Sequence, residues 1–97
     1  MKNGNKYIIK FSKAAEKDKQ KLKNEGLDKN CKKILTLMMN DPFCYPPSYE
    51  KLNGDLLGLY SRRINRQHRL VYEVDLEKKE IHIIRMWTHY ENTPLYY

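Results

Sequence analysis

Three arginines lie close together in the stretch SRRINRQHRLVYEV (61–74). Arg62 and Arg63 are adjacent, and Arg69 follows a short turn, directly before the apolar run that begins at Leu70. Like charges gathered on a small sheet are unfavourable for folding, whereas guanidinium groups form bidentate contacts with phosphate oxygens. Neighbouring strand residues point to opposite faces, so one of the adjacent pair can join Arg69. The cluster therefore predicts a phosphate-binding site.

A phosphate site becomes a nuclease site only if acid–base groups flank it. The sequence offers few such groups: Glu50, Glu73, His68, His82 and His89. His68 lies in the turn and is expected to be exposed to solvent. His82 alternates with isoleucines, which is typical of the polar face of a strand. His89 follows the run IIRMW near the end of the last predicted strand. The residue types alone leave the choice among them open.

Composition predicts one basic domain that spans residues 1–97. The chain has 97 residues, 40% of them hydrophobic, which suits a single modest core. Nineteen basic residues against twelve acidic ones give a net charge of +7. Such a surplus favours polyanionic partners, either nucleic acid or an acidic protein segment.

The two cysteines, Cys31 and Cys44, have neither the spacing of a metal site nor that of a redox motif. They are interpreted as reduced thiols, with Cys31 a buried structural residue. No apolar run is long enough for a signal peptide or a membrane span. A soluble, cytoplasmic protein without a metal or other cofactor is expected.

The first half of the chain predicts a strand followed by two helices. The run KYIIKF (6–11) is β-type, and Ser12 is a suitable N-cap for a helix that continues to about Asn24. Its buried stripe is thin: Ala14, Ala15, Asp18 and Leu22. Gly26 breaks this helix. The second helix has a clearer stripe and ends near Asn40, before Pro42: Leu27, Cys31, Ile34, Leu35 and Met38.

The second half predicts a β-meander. Residues 41–58 form a loop or a short edge strand, and strands follow at 57–64, 69–75 and about 80–88. The fold class is therefore α+β: an N-terminal strand and a two-helix hairpin packed on an antiparallel β-meander. The helices cover one face of the sheet, and the opposite face is left for the cations.

The stretch YEKLNGDLLGLYSRRINRQHRLVYEV, with RMWTHY near the end, resembles the YoeB/Txe toxins of the RelE superfamily. Members share a Glu-x-Leu, a Gly followed by an aromatic residue, Ser-Arg-Arg-Ile, His-Arg-Leu-Val-Tyr and a closing His-Tyr. The resemblance implies a fold like that of small microbial ribonucleases and cleavage of mRNA on the ribosome without a metal ion. It also implies a cognate antitoxin as partner and allows a homodimer.

The resemblance also implies roles for individual residues. RNA supplies its own nucleophile, the 2′-hydroxyl, so cleavage needs a base, an acid and stabilisation of the phosphorane. Glu50 corresponds to the base, His89 to the acid and Arg69 to the group that stabilises the phosphorane. The substrate-binding residues are Arg63, which holds the scissile phosphate, its neighbour Arg62, and Tyr90, which orients the phosphate or stacks on a base.

Two other functions compete with this interpretation. A ParE-type toxin, which poisons gyrase, uses the same scaffold but has no need of a base, an acid and a phosphorane-binding arginine. A basic RNA-binding or protein-binding module explains the charge but leaves the ordered motif unexplained. The tail at 91–97 extends beyond the closing His-Tyr.

Overall fold

The structure, a computed structural model, describes residues 6–87. The elements follow in the order β1 (Ile8–Phe11), α1 (Lys13–Asn24), α2 (Asp28–Asn40), β2 (Tyr49–Lys51), β3 (Tyr60–Arg63), β4 (Arg69–Asp75) and β5 (Glu80–Arg85). A single 3₁₀ turn, Gly54–Leu56, lies between β2 and β3. This order confirms the predicted α+β class, with a strand and two helices before the meander.

Both helices begin and end close to the predicted positions. Ser12 caps α1: its Oγ accepts a hydrogen bond from the amide of Ala15 at 3.0 Å and donates one to the carbonyl of Ile84 at 2.7 Å. The second bond ties the start of the helix to the sheet. Gly26 has a φ of +74°, a left-handed conformation that suits glycine and ends the helical path between α1 and α2.

The predicted stripe of α2 forms the centre of the core. Cys31, Ile34 and Met38 are buried in one cluster with residues of β4 and β5: Leu70, Tyr72, Ile81 and Ile83. Burial raises the pKa of the Cys31 thiol to about 11, so the thiol stays protonated at neutral pH. The interpretation of Cys31 as a buried structural residue is therefore confirmed.

A buried ion pair joins α1 to the end of β5. Asp18 lies on the predicted inner stripe of the helix and is 1% exposed. Its Oδ2 accepts hydrogen bonds from Nε of Arg85 and from the amide of Met86, each at 2.9 Å. A buried carboxylate needs such partners. The thin apolar stripe of α1 is thus supplemented by a charged anchor.

The sheet has five strands in the order β1-β5-β4-β3-β2. The meander strands and β2 pair antiparallel, but β1 runs parallel to β5, with Ile9 opposite Ile81. The sheet is therefore mixed. β1 lies at its edge beside β5, and both helices and the strands β2, β3 and β4 lie between these two strands in the chain. The helices lie on one face, as predicted.

Two strands are shorter than predicted. β3 begins at Tyr60, rather than 57, because the 3₁₀ turn Gly54–Leu56 and the left-handed Gly58, with a φ of +100°, precede it. Leu52 and Val71 form a second small core there, with Leu56, Leu59 and Ile84 packed against them. β5 ends at Arg85, before the predicted end near 88. The segment 52–59 thus covers part of the face opposite the helices.

No helix within residues 6–87 has the length and apolar character that crossing a membrane requires.

Candidate functional site

Strand register brings four polar side chains to the face of the sheet that the helices leave open. Arg63 on β3 is the pairing partner of Arg69 on β4, and Ser61 is the partner of Glu50 on β2. Directly opposed residues of antiparallel strands share a face, and so do residues two apart on one strand. The two arginines, Ser61 and Glu50 therefore lie together across three neighbouring strands.

The Arg69 guanidinium contacts both Glu50 and Ser61. Its Nη1 lies 3.2 Å from Oε1 of Glu50 and 3.2 Å from Oγ of Ser61. The side chain of Glu50 is 57% exposed, that of Arg69 is 16% exposed, and Ser61 is fully buried. Solvent can therefore reach the Glu50 carboxylate, whereas the Arg69 guanidinium is mostly buried and forms a hydrogen bond with the buried Ser61.

The ion pair between Glu50 and Arg69 lies at the surface on the Glu50 side. Such pairs contribute up to about 1 kcal/mol to stability because water screens the charges. The arrangement thus brings a proton acceptor and an anion-binding cation into direct contact at the surface.

Arg63 adds a second cation to this face. It is exposed and lies directly across from Arg69 in the β3–β4 ladder. Two guanidinium groups side by side on a sheet can bind one phosphate from two directions. The prediction that one of the adjacent arginines joins Arg69 is confirmed, and that residue is Arg63.

Arg62 occupies a different position from the one predicted. It is fully buried, on the face of β3 that points towards the core, opposite Leu70. The prediction that Arg62 binds substrate is therefore wrong, because none of its surface is left for a ligand to touch. Strand alternation sends the neighbour of Arg63 inward, as the geometry of a pleated strand requires.

The Arg62 guanidinium is bound by main-chain carbonyl oxygens of the loop that leads into β2. Nη1 donates to the carbonyl of Pro47 at 2.6 Å, and Nη2 donates to those of Pro42 at 2.9 Å and Cys44 at 3.0 Å. Nε donates to the hydroxyl of Tyr72 at 3.1 Å. The charge is thus solvated by carbonyl dipoles and by the Tyr72 hydroxyl.

Aromatic rings complete the surroundings of Arg62. The guanidinium carbon lies 4.8 Å from the ring centroid of Tyr49. Burial raises the pKa of Tyr72 to about 12, although the nearby Arg62 acts in the opposite direction. The Tyr72 hydroxyl therefore keeps its proton, which it donates to the carbonyl of Pro42 at 3.4 Å. Arg62 and these rings fix the loop 42–47, and with it the start of β2, which carries Glu50.

The two histidines within the described residues, His68 and His82, differ in burial and in their contacts. His68 is only 4% exposed and stacks on Trp87, with 3.7 Å between ring centroids, so the prediction of an exposed turn residue is wrong. His82 lies on the polar face as predicted, with its Nε2 2.8 Å from Glu80 and its Nδ1 3.7 Å from Glu73. Both Glu73 and Glu80 are thus in contact with His82.

The two remaining predicted site residues, His89 and Tyr90, lie outside the described residues. Within residues 6–87, no three His, Cys, Asp or Glu side chains are grouped so that they could hold a metal ion.

Ser61 is the one site residue that sequence reasoning missed. Its signal was present: it lies two residues before Arg63, so alternation alone puts it on the same face. The sequence around Ser61 contains no motif that indicates a function for a serine. Its contact with Arg69 depends on the β3–β4 register.

The chain is similar to known toxins along most of its length. A family model described as the YoeB-like toxin of a bacterial type II toxin–antitoxin system matches residues 11–90. Toxin YoeB of Synechocystis sp. is 34% identical over 76 residues, which are 78% of this chain and 79% of that protein.

Two solved structures from Staphylococcus aureus are also similar. A chain in the YoeB–YefM complex is 36% identical, with a TM-score of 0.73, and the match covers 87% of this chain and 98% of that one. A chain in the YoeB dimer is 33% identical, with a TM-score of 0.75 and coverage of 88% and 99%.

Replacing Arg62 by methionine should destabilise the fold far more than the same change at Arg63. The first substitution leaves carbonyls of the loop 42–47 without their donor in buried or partly buried positions, which should cost about 3 kcal/mol or more. Arg63 is exposed, so Arg63→Met should change the free energy of unfolding by no more than about 0.5 kcal/mol. Urea unfolding followed by circular dichroism measures both. Equal losses in the two variants would show that the buried contacts of Arg62 contribute no more to stability than an exposed arginine does.

Proposed function

The chain belongs to the YoeB-like toxins of bacterial type II toxin–antitoxin systems, and from this premise we propose that it is a ribosome-dependent endoribonuclease that cleaves mRNA. The observation that carries the proposal is the contact between Glu50 and Arg69 on the open face of the sheet. A general base and a cation that stabilises a phosphorane must touch the same phosphodiester. These two side chains are in direct contact and Glu50 is exposed to solvent, which suits that requirement.

The proposed reaction begins at the 2′-hydroxyl of the nucleotide before the scissile bond. Glu50 accepts the hydroxyl proton, and the 2′-oxygen attacks the phosphorus. Arg69 stabilises the negative charge of the resulting phosphorane, and Arg63 holds the phosphate in place. The bond to the 5′-oxygen then breaks. The products are a 2′,3′-cyclic phosphate and a 5′-hydroxyl.

The acid that protonates the 5′-oxygen is His89, and Tyr90 orients the phosphate or stacks on a base. Both roles rest on the sequence resemblance, since these residues lie outside the described part of the chain. No metal ion or other cofactor takes part in the proposed reaction.

Substrate binding rearranges the resting ion pair. A phosphate oxygen takes the place of Oε1 of Glu50 on the Arg69 guanidinium, which frees the carboxylate to accept the hydroxyl proton. Ser61 keeps its hydrogen bond to Nη1 throughout, so the guanidinium stays aimed at the phosphate. Ser61 is therefore a positioning residue in this scheme.

The proposed partners follow from the relatives. The Staphylococcus aureus YoeB has been crystallised with YefM and as a dimer. We infer that this chain is neutralised by a YefM-like antitoxin, that it can form a homodimer and that it acts in the cytoplasm on the ribosome.

Glu50→Gln should slow single-turnover cleavage of ribosome-bound mRNA by about 10²–10⁴-fold, because the amide cannot accept the 2′-hydroxyl proton. The measurement is the rate of appearance of fragments with a 2′,3′-cyclic phosphate end. The thermal unfolding midpoint should stay close to that of the parent, since Glu50 is exposed and its ion pair is weak.

Glu73→Gln is the matched control. Glu73 is an exposed carboxylate on the same side of the sheet, paired across β4 and β5 with His82. The Glu73→Gln variant should cleave ribosome-bound mRNA at nearly the parent rate. If the folded Glu50→Gln variant also cleaves at the parent rate, Glu50 is not the base.

Arg69→Ala and Arg63→Ala should affect different kinetic constants. An interaction made only in the transition state lowers kcat, whereas one made equally in the ground state raises KM. Arg69→Ala should bind mRNA-loaded ribosomes almost normally and cleave at least about 10²-fold more slowly. Arg63→Ala should lose mainly affinity, and the loss should grow with salt concentration. Should both variants lose only affinity, the two arginines form a docking patch rather than a catalytic one.

A further inference from the structure

The stack between His68 and Trp87 has no part in the reaction proposed above. The two ring centroids are 3.7 Å apart and the ring planes differ by 21°, so the rings lie face to face. His68 is 4% exposed, and Trp87 is partly buried against the core cluster. His68 directly precedes Arg69 in the chain, and Trp87 is two residues before His89. The stack therefore joins the two chain segments that carry the proposed phosphorane-binding residue and the proposed acid.

The backbone of His68 is fixed by the turn between β3 and β4. Its amide donates to Oδ1 of Asn65 at 2.7 Å, and its carbonyl accepts from the amide of Ile64 at 2.9 Å. The carbonyl of Ile64 in turn accepts from the side-chain amide of Asn30 on α2. Ile64 is itself buried in the core. The position of His68 is therefore set both by the β3–β4 ladder and by α2.

The chain that leaves β5 is held at three successive residues. Nε of Arg85 and the amide of Met86 both donate to the buried carboxylate of Asp18, each at 2.9 Å. Trp87 then stacks on His68. Stacked aromatic rings stabilise a contact beyond the burial of their area. The helix α1 thus fixes the first two of these residues, and the stack fixes the third.

Strand order places this chain on the side of Arg69 that is opposite to Glu50. β4 lies between β3 and β5, and β2, which carries Glu50, lies beyond β3. β4 and β5 are antiparallel, and Arg85 is the pairing partner of Val71. The chain that follows Arg85 therefore runs towards the Arg69 end of β4. Arg69 has the Glu50 strand on one side and the chain after β5 on the other.

The proposed reaction needs a base and an acid on opposite sides of one phosphate. The 2′-oxygen attacks in line with the bond that breaks, so the 5′-oxygen departs on the far side of the phosphorus. Because Glu50 serves the attacking oxygen, the acid must approach from the side of β5. The proposed acid, His89, lies outside the described residues. Two residues of chain span at most about 7 Å, so the position of Trp87 limits the reach of His89.

We propose that His68 is a positioning residue, which through Trp87 holds the segment that carries the general acid. This inference rests on the proposed function, because it assigns His68 a role in that reaction. His68 itself exchanges no proton with the substrate, since alternation puts it on the opposite side of β4 from Arg69. Its ring fixes Trp87, and Trp87 fixes the distance from which His89 donates a proton to the 5′-oxygen.

The test compares two mRNA substrates that differ only in the leaving group. One has the ordinary 5′-oxygen at the scissile phosphate, and the other has a sulfur atom in its place. A thiol has a pKa of about 8.5, so the thiolate leaves without a proton, whereas the much more basic alkoxide needs the acid. The acid therefore contributes only to cleavage of the oxygen substrate. Glu50 and Arg69 contribute to cleavage of both.

Trp87→Leu removes the stack and keeps an apolar side chain at this position. Single-turnover cleavage of the oxygen substrate on the ribosome should slow by about 10²-fold, because a displaced catalytic group loses about that much of its effect. The same variant should cleave the sulfur substrate at nearly the parent rate. His68→Leu should show the same pattern. Neither change should slow the oxygen substrate further once His89 is replaced by alanine.

Two control variants should cleave both substrates at nearly the parent rate. Trp87→Phe keeps a ring that can stack on His68. His82→Ala removes a histidine from β5, where it pairs with Glu73 on the polar face of the sheet. All rates are measured at a temperature at which circular dichroism shows every variant to be folded, so that loss of the fold does not enter the comparison.

Equal slowing of both substrates by Trp87→Leu would overturn the proposal, because the stack would then act through Arg69 or the fold rather than through the acid. Cleavage of the oxygen substrate at the parent rate by Trp87→Leu or His68→Leu would overturn it as well. So would a loss in Trp87→Phe as large as that in Trp87→Leu. If the parent chain cleaves neither substrate on the ribosome, the proposed function itself fails, and the parent rates alone reveal that outcome.

Discussion

The candidate site depends on a cation that no substrate can reach. The guanidinium of Arg62 is buried and donates hydrogen bonds to three carbonyls of the loop 42–47 and to the hydroxyl of Tyr72. A buried charge is tolerated only when its donors are satisfied, so the loop must keep the conformation that offers those carbonyls. The next strand, β2, has three residues and lies at the sheet edge. Arg62 thereby fixes the chain immediately before Glu50.

The adjacent arginines point to the two different faces of one strand, and only Arg63 has a proposed role in substrate binding. Arg62 points inward and holds the loop, while Arg63 points outward and joins Arg69 in the β3–β4 ladder. The exposed contact between Glu50 and Arg69 is weak by comparison. This combination is suited to catalysis. The contacts of Arg62 keep the geometry of the loop 42–47, while a phosphate can replace Glu50 at the Arg69 guanidinium in the proposed reaction.

Sequence patterns predicted the features that depend on local periodicity. The stripe of α2 follows from a spacing of 3.6 residues, and the opposite faces of Arg62 and Arg63 follow from a spacing of 2. The cap at Ser12 follows from its residue type. Features set by contacts distant in sequence were missed. Alternation could not decide which adjacent arginine is buried, because the partners of Arg62 are carbonyls, which have no signature in the sequence. The burial of His68 likewise depends on its stacking with Trp87, 19 residues further along the chain. The parallel pairing of β1 depends on contact with β5, the last strand in the chain.

A double-mutant cycle between Arg62 and Glu50 tests most directly whether the buried guanidinium of Arg62 acts through Glu50, the proposed general base. Single-turnover cleavage of ribosome-bound mRNA is measured for the parent, Arg62→Lys, Glu50→Gln and the double variant, at a temperature where all four are folded. Lysine keeps the charge but lacks the planar fork of donors with which the guanidinium spans the three carbonyls. If Arg62 acts by positioning Glu50, Arg62→Lys slows the parent and has no further effect once Glu50 is replaced, with a coupling free energy of at least about 1 kcal/mol. Independent, multiplicative losses would contradict this account.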